Sequence, residues 1–381
     1  MKITKAFFLC YLVLFFSCRQ KKEDTSSKVP QSQKSVTHAK GFQIEKSGDI
    51  TILKLLSPWL NSKTVYTYAL IPKEKLSTIT LDKDAFDAII TIPVERIVVT
   101  STTHIPALEL LSVENKLVGF PNTNFISSKK TRKRIDSGLV KELGSNETIN
   151  TEMVIELNPN VIIGFGLNNQ NKAYETISMS NIPVVYNGDW TEETPLGKAE
   201  WIKFFGAFFQ LDKKADSLFN ATKTSYNKAK LLAHKAKREP TVMTGGLFKD
   251  IWYVAGGNSW LAQFLRDAHT NYLWKHTEET GSIPLSFESV FDRGQSAEFW
   301  LSPSLHGSYE EMLETNRHYK EFSAFKNKKI YSHANTRGET GGLLYFELAP
   351  SRPDVVLKDL IHIFHPELLP NYKPFFIKPL H

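Results

Sequence analysis

Two cysteines, eleven histidines and forty carboxylates are the groups in this 381-residue chain that could bind a metal or attack a substrate. Both cysteines, Cys10 and Cys18, fall in the first eighteen residues, so the rest of the chain has no disulfide and no thiolate ligand. His362 and His365 stand three apart on a helical pattern, a spacing that can bind zinc. The other histidines are scattered and His365 precedes Pro366, so capping or packing is the better reading. No compact His/carboxylate set for bare zinc or manganese can be assembled. Neither the G-x-S-x-G elbow nor the H-E-x-x-H zinc motif occurs. A hydrolase would need a nucleophile with its base, or two facing carboxylates, and nothing in the sequence brings Asp189 and Glu347 together. Gly164-Phe165-Gly166 follows a strand pattern but lacks the third glycine of a dinucleotide fingerprint. These residues favour binding over catalysis.

Cys18 has a different chemistry in prospect. Lys2 and Lys5 precede the apolar run Ala6 to Phe16, and Ser17-Cys18 follows it. That order reads as a secretory signal too short to span a bilayer. The small residue before cysteine resembles a bacterial lipobox, although Phe15 and Phe16 are bulky for it. Residues 1–17 then form the signal and Cys18 the lipidated residue; the alternative is an ordinary signal with an incidental cysteine. Residues 18–40 are rich in Lys, Ser and Gln and read as a flexible linker. The body has 41% hydrophobic residues in the whole-chain composition and is long enough for two domains. The net charge is +7, with its densest basic run at Lys129, Lys130, Arg132, Lys133 and Arg134. In an exported protein this run reads as a solvated loop or helix face, with anionic lipid as the alternative and nucleic acid set aside.

The elements that must position a site follow from the pattern. After a β-rich start come short aliphatic strands at Glu95–Thr100, Leu117–Phe120, Val161–Gly164 and Ile182–Tyr186, alternating with helices. Such strands belong to a parallel sheet covered on both faces. From Pro195 the chain is helical for about forty residues, with Lys213 to Arg238 free of Gly and Pro. A second α/β half opens at Thr241–Thr244 and closes with a helix from Pro353 to Phe364. The expected fold is α/β: two Rossmann-like lobes with mostly parallel sheets joined by a long helix, the ligand cleft between them. Residues 41–211 form the N-terminal lobe, 212–238 the interlobe backbone helix and 239–381 the C-terminal lobe.

The ordered segments RIVVTSTTHIPALELL, NTEMVIELNPNVIIGFG, AEWIKFFGAFFQLDKKADSLF, IWYVAGGNSWLAQFLRDAHTNYLW, IPLSFESVF and SRPDVVLKDLIHIFHPELL resemble the substrate-binding proteins of ABC importers for iron chelates and cobalamin. The last three resemble lipoprotein members from Bacteroidetes-type bacteria. The resemblance implies a non-enzymatic, monomeric binding protein, held by its lipid in the cell envelope and facing the periplasm. It would deliver a metal chelate, a ferric siderophore or else cobalamin, to an inner-membrane permease dimer, and would need no cofactor. It implies docking glutamates at Glu152 and Glu288, with Glu156 a competitor for the first; acidic residues at helix starts are the plainer alternative. Ligands of α/β sheets bind beyond the carboxyl ends of the strands. That places the ligand contacts at His104, Phe165 and Trp190 in the first lobe, with Thr102, Thr103 and Asn168 nearby. In the second lobe it places them at Phe248, Trp252, Arg337, Tyr345 and Glu347. The aromatics serve equally well as core, and His104 as a helix-start residue. Aromatics offer rigid contact area and the guanidinium an anion partner. A sensor or surface lipoprotein is a third reading.

Overall fold

A computed structural model of the protein describes residues 35–168 and 170–381. The signal segment and the Cys18 lipidation site lie outside the described residues. The chain begins with β1 (Phe42–Ser47), β2 (Ile50–Leu55), β3 (Tyr66–Pro72) and β4 (Ala88–Ile92), which pair in that order into one sheet. Only the β3–β4 pair is parallel. Alternation in β2 sends Leu53 and Leu55 inward at 0% exposure, where they join Phe42, Tyr68 and Ile90 in the core of the first lobe.

The first lobe proper is a parallel sheet of β5 (Ile97–Val99), β6 (Leu117–Phe120), β7 (Lys141–Glu142), β8 (Val161–Phe165) and β9 (Val184–Asn187), in the order β7-β6-β5-β8-β9. Its aliphatic strands are buried on both faces because separate apolar clusters cover each.

The helix Asp212–Ala233 links the halves. Its 22 residues extend about 33 Å at the usual rise. Ala215 and Phe219 belong to the first-lobe core, whereas Tyr226, Ala229 and Ala233 belong to the second. The helix stops at Ala233, before the expected 238: the main chain turns at His234–Ala236, and Arg238 pairs with Glu298.

The second half contains β10 (Thr241–Thr244), β11 (Gly246–Phe248), β12 (Ile251–Ala255), β13 (Asn271–Tyr272), β14 (Ser282–Leu285), β15 (Phe299–Leu301), β16 (Ile330–Ser332) and β17 (Lys378–Pro379). One sheet has the order β13-β10-β15-β16-β17 and is parallel except for β17. The other is an antiparallel meander, β11-β12-β14. Trp252 and Trp300 stack at 5.2 Å in the core between them. Among the described residues no helix is long and apolar enough to cross a membrane.

Residues 35–40, expected to belong to the linker, pack on the body instead. Glu200, fully buried, accepts the backbone N–H groups of Thr37 at 3.0 Å, His38 at 2.5 Å and Ala39 at 2.8 Å. Glu192 does the same for Lys40 and Gly41. Residues 35–40 are therefore docked, because two buried carboxylates need donors and the backbone of this strap supplies them.

Candidate functional site

Five strand ends converge on one cavity of 420 Å³. Thr100–Thr102 follow β5, Phe120–Asn122 and Phe125 end or follow β6, Asn146 follows β7 and Phe165 ends β8. From the second lobe come Arg337, Gly341–Leu343 and Phe346, all beyond β16. The volume is within the roughly 300–1,000 Å³ usual for small-molecule sites. Four phenylalanines and Pro121 make its walls apolar, and Arg337 is the one charged side chain among the lining residues.

Local hydrogen bonds hold these groups in place. The Thr100 hydroxyl accepts from the Phe165 amide at 2.8 Å, setting the ring at the end of β8. Asn146 donates through Nδ2 to the Thr100 carbonyl at 3.0 Å, tying the loop after β7 to β5. Arg337 is exposed and spends one N–H, from Nη1, on the Gly341 carbonyl at 3.0 Å. The other guanidinium donors have no partner among the described residues, which leaves them free for an anion. Gly341, at φ 88°, turns the loop back so that Arg337 and Leu343 bridge.

The cavity brings together Phe165 and Arg337 of the residues expected at the ligand. Trp190 packs against Phe165 at 5.8 Å but is not a lining residue. Its turn is pinned by Lys198, whose Nζ donates to the carbonyls of Asp189 and Trp190 at 3.0 Å each. His104 is corrected to the core: it is fully buried against the Phe205 ring at 5.3 Å and is not a lining residue, and burial pulls its imidazole down to about 4 despite the opposing pull of Asp189. Trp252 is corrected to the second-lobe core: strand alternation turns it inward and Tyr253 outward, and its indole donates to the Thr244 carbonyl. Phe248 is 64% exposed on the outer face of the meander, away from the cavity lining. Tyr345 is buried against the His333 ring at 4.6 Å, and Phe346 takes the cavity-facing place. Glu347, 1% exposed, accepts the amides of Ser127 at 2.6 Å and Ser128 at 3.0 Å, so it joins the lobes rather than meeting a ligand.

Sequence reasoning missed Phe120, Phe125, Asn146 and Phe346. The strand-end rule applied to LVGF would have found the first two. Asn146 follows a two-residue strand, and Phe346 lies on the five-residue helix Leu344–Leu348; neither element leaves a period to read.

Glu152 and Glu288 occupy matching places. Each is the second residue of a helix, Thr151–Leu157 or Phe287–Gly294, capped by Asn150 or Ser286. Each helix precedes a central parallel strand, and both glutamates are exposed with no ion-pair partner among the described residues. The basic run forms the helix Lys129–Asp136, where Lys129 pairs with Glu339, Lys130 with Glu114 and Arg132 with Asp136. Among the described residues no three His, Cys, Asp or Glu side chains converge on a metal site.

Comparison with known proteins agrees with this architecture. An uncharacterised lipoprotein of Methanocaldococcus jannaschii is 27% identical over 300 residues, covering 76% of this chain and 70% of its own. The solved structure of a possible iron-binding periplasmic solute-binding protein from Staphylococcus epidermidis superposes with TM-score 0.57 at 19% identity, over 72% of this chain and 99% of that one. A periplasmic heme-binding protein from Pseudomonas aeruginosa gives 0.56 at 18% identity, over 76% and 98%. The fold is that of two-lobed α/β binding proteins with a helical backbone. A family model for periplasmic binding proteins matches residues 97–335, and the chain belongs to that family of binding proteins rather than to an enzyme family.

Proposed function

We propose that this binding protein captures an anionic metal chelate that arrives with its coordination sphere already complete, a ferric siderophore in type, and passes it to the permease of an ABC importer. The donor set of the cavity carries the reading. Its lining holds four phenylalanines and one arginine, and no His, Tyr, Met, Cys or carboxylate among the lining residues. A metal entering this cavity meets no imidazole, thiolate, phenolate or carboxylate from the lining, so its strong donors must come from the chelate. The solved relatives include heme-binding proteins. Heme iron is ordinarily held by an axial His, Cys, Met or Tyr side chain, which this lining does not offer. Arg337 provides the complementary charge for an anionic chelate. Cobalamin is the second reading, favoured by the four aromatic faces.

Glu152 and Glu288 are the proposed docking pair, one per lobe, steering the loaded protein onto basic permease groups. Cys18 is the proposed lipid attachment, which would hold the body at the membrane on the periplasmic side of the cell envelope, with a monomer as the working unit.

The test is the melting temperature of the protein against ferric siderophores, cobalamin, cobinamide and heme. A ligand of the native state raises it with concentration. The expected outcome is a rise with a ferric chelate. Arg337→Ala is expected to weaken that affinity roughly ten- to hundredfold, the loss of a charged hydrogen bond worth about 1.5–3 kcal/mol. A rise with corrinoids alone would move the assignment to cobalamin, and a rise with heme alone would overturn the argument from donors.

A further inference from the structure

The wall of the cleft contains a junction that ligand binding alone does not explain. From the second lobe, the loop from Arg337 to Leu343 lies on the first-lobe segment from Phe125 to Ser128. An added Cβ at Gly342 would come within 2.6 Å of the Phe125 carbonyl, and one at Gly338 within 2.6 Å of Ser127, so the backbones approach closely. Thr340 donates to the Asn124 carbonyl at 2.7 Å, and Lys129 faces Glu339 at 3.6 Å. Beyond the loop, the Glu347 carboxylate takes both amides at the start of the Lys129–Asp136 helix. Ser128 is shared: its amide serves Glu347, while its hydroxyl, with that of Thr131 at 2.6 Å, serves Glu109. Phe125, Gly342 and Phe346 line the cavity beside this junction, so opening it widens the cleft.

Two carboxylates from opposite lobes therefore converge on one serine. The charges around them are committed elsewhere. Lys129 pairs with Glu339 and Lys130 with Glu114 on the first-lobe side. On the second-lobe side Arg337 donates to Gly341, and Arg352 is forked onto Asp354. The nearby imidazole, His333 beneath Tyr345, is held neutral at ordinary pH by burial and by Arg337. Neither Glu347 nor Glu109 has a cationic partner among the described residues.

We propose that Glu347 and Glu109 form a proton-dependent interlobe clasp that sets the width of the ligand cleft, closing with uptake of a proton and loosening as that proton is lost. The inference rests on the reading of this cleft as the binding site and adds its regulation. Burial pushes the Glu347 carboxyl up to about 7, with Glu109 adding to the rise and the two serine amides opposing it. The sign follows from linkage. A carboxyl whose pKa is higher in the closed state than in the open state favours closure while protonated, and that contribution disappears as pH rises through about 7.

The experiment is amide hydrogen exchange of the ligand-free full chain, read on peptides covering residues 122–131 and corrected for intrinsic exchange rates. Protection in the wild type is expected to fall several-fold between about pH 6 and about pH 8. Glu347→Gln keeps a neutral acceptor, so its protection is expected to stay at the acid-side level across the range. Glu109→Gln removes the neighbouring charge that adds to the rise of the Glu347 carboxyl while keeping an acceptor for Ser128, so it is expected to move the transition to lower pH; a transition unmoved in this variant would overturn the paired clasp. Flat protection in the wild type, or a fall in Glu347→Gln equal to that of the wild type, would overturn the proposal. Because no ligand is present, a failed clasp and a wrong ligand assignment give separate results.

Discussion

Arg337 and Trp252 show how little residue type says about place. Both were candidates for the ligand on the same rule of strand ends. Arg337 sits at the rim of the cavity on a loop held by the left-handed Gly341, with most of its donors unspent. Trp252 sits on β12, where it stacks on Trp300 and packs edge-on against Tyr319 at 5.5 Å. Removing it should therefore act on stability. Trp252→Ala is expected to lower unfolding free energy by about 3–5 kcal/mol, the usual range for a large buried aromatic. A denaturation midpoint measures this, and affinity in the surviving folded fraction should be unchanged.

At the scale of elements, the strap of residues 35–41 is the part whose energetics are most exposed to test. Burial alone would raise the Glu200 carboxyl, but the amides of Ala39, His38 and Thr37 and the ammonium of Lys203 outweigh it and hold the group below its ordinary value. A depressed carboxyl stabilises the fold above its unfolded pKa, and that contribution is lost as pH falls through the folded value. Glu200→Gln should thus cost about 1–3 kcal/mol at neutral pH, the range for a weakened charge-assisted hydrogen bond. The difference from wild type should shrink as the pH is lowered below 4.5, the ordinary carboxyl value. Thermal unfolding across pH reads both. Lys203 also donates to the Ser35 carbonyl at 2.6 Å, which ties the strap to the body at its first described residue.

For the whole molecule, the question is how two lobes act as one carrier. The Asp212–Ala233 helix is rooted in both cores, and the clasp at Glu347 joins the lobes again at the cleft wall. Glu152 and Glu288 repeat one position in two lobes, each at a capped helix start. Replacing both with alanine should abolish transport while leaving chelate affinity intact, because exposed side chains at helix starts add little to folding. Uptake by cells, measured beside affinity of the purified variant, separates the two. Normal uptake would remove these glutamates from docking.

The α/β class and the long linking helix can be read along the chain alone, whereas the paired glutamates came from the family resemblance. Strands buried on both faces must be continuous aliphatic runs, and a helix between two cores must go many residues without Gly or Pro; these constraints are local and survive in one dimension. Edge strands of two residues, such as β7 and β13, leave no period, so the loop bearing Asn146 was not legible. Nor could a strand-end rule say which of two neighbours turns out of the core: Tyr345 or Phe346, Trp252 or Tyr253. That Glu347 reaches across to Ser127 is visible in the folded molecule alone, because a contact over 220 residues depends on how two lobes meet and not on any pattern along the chain.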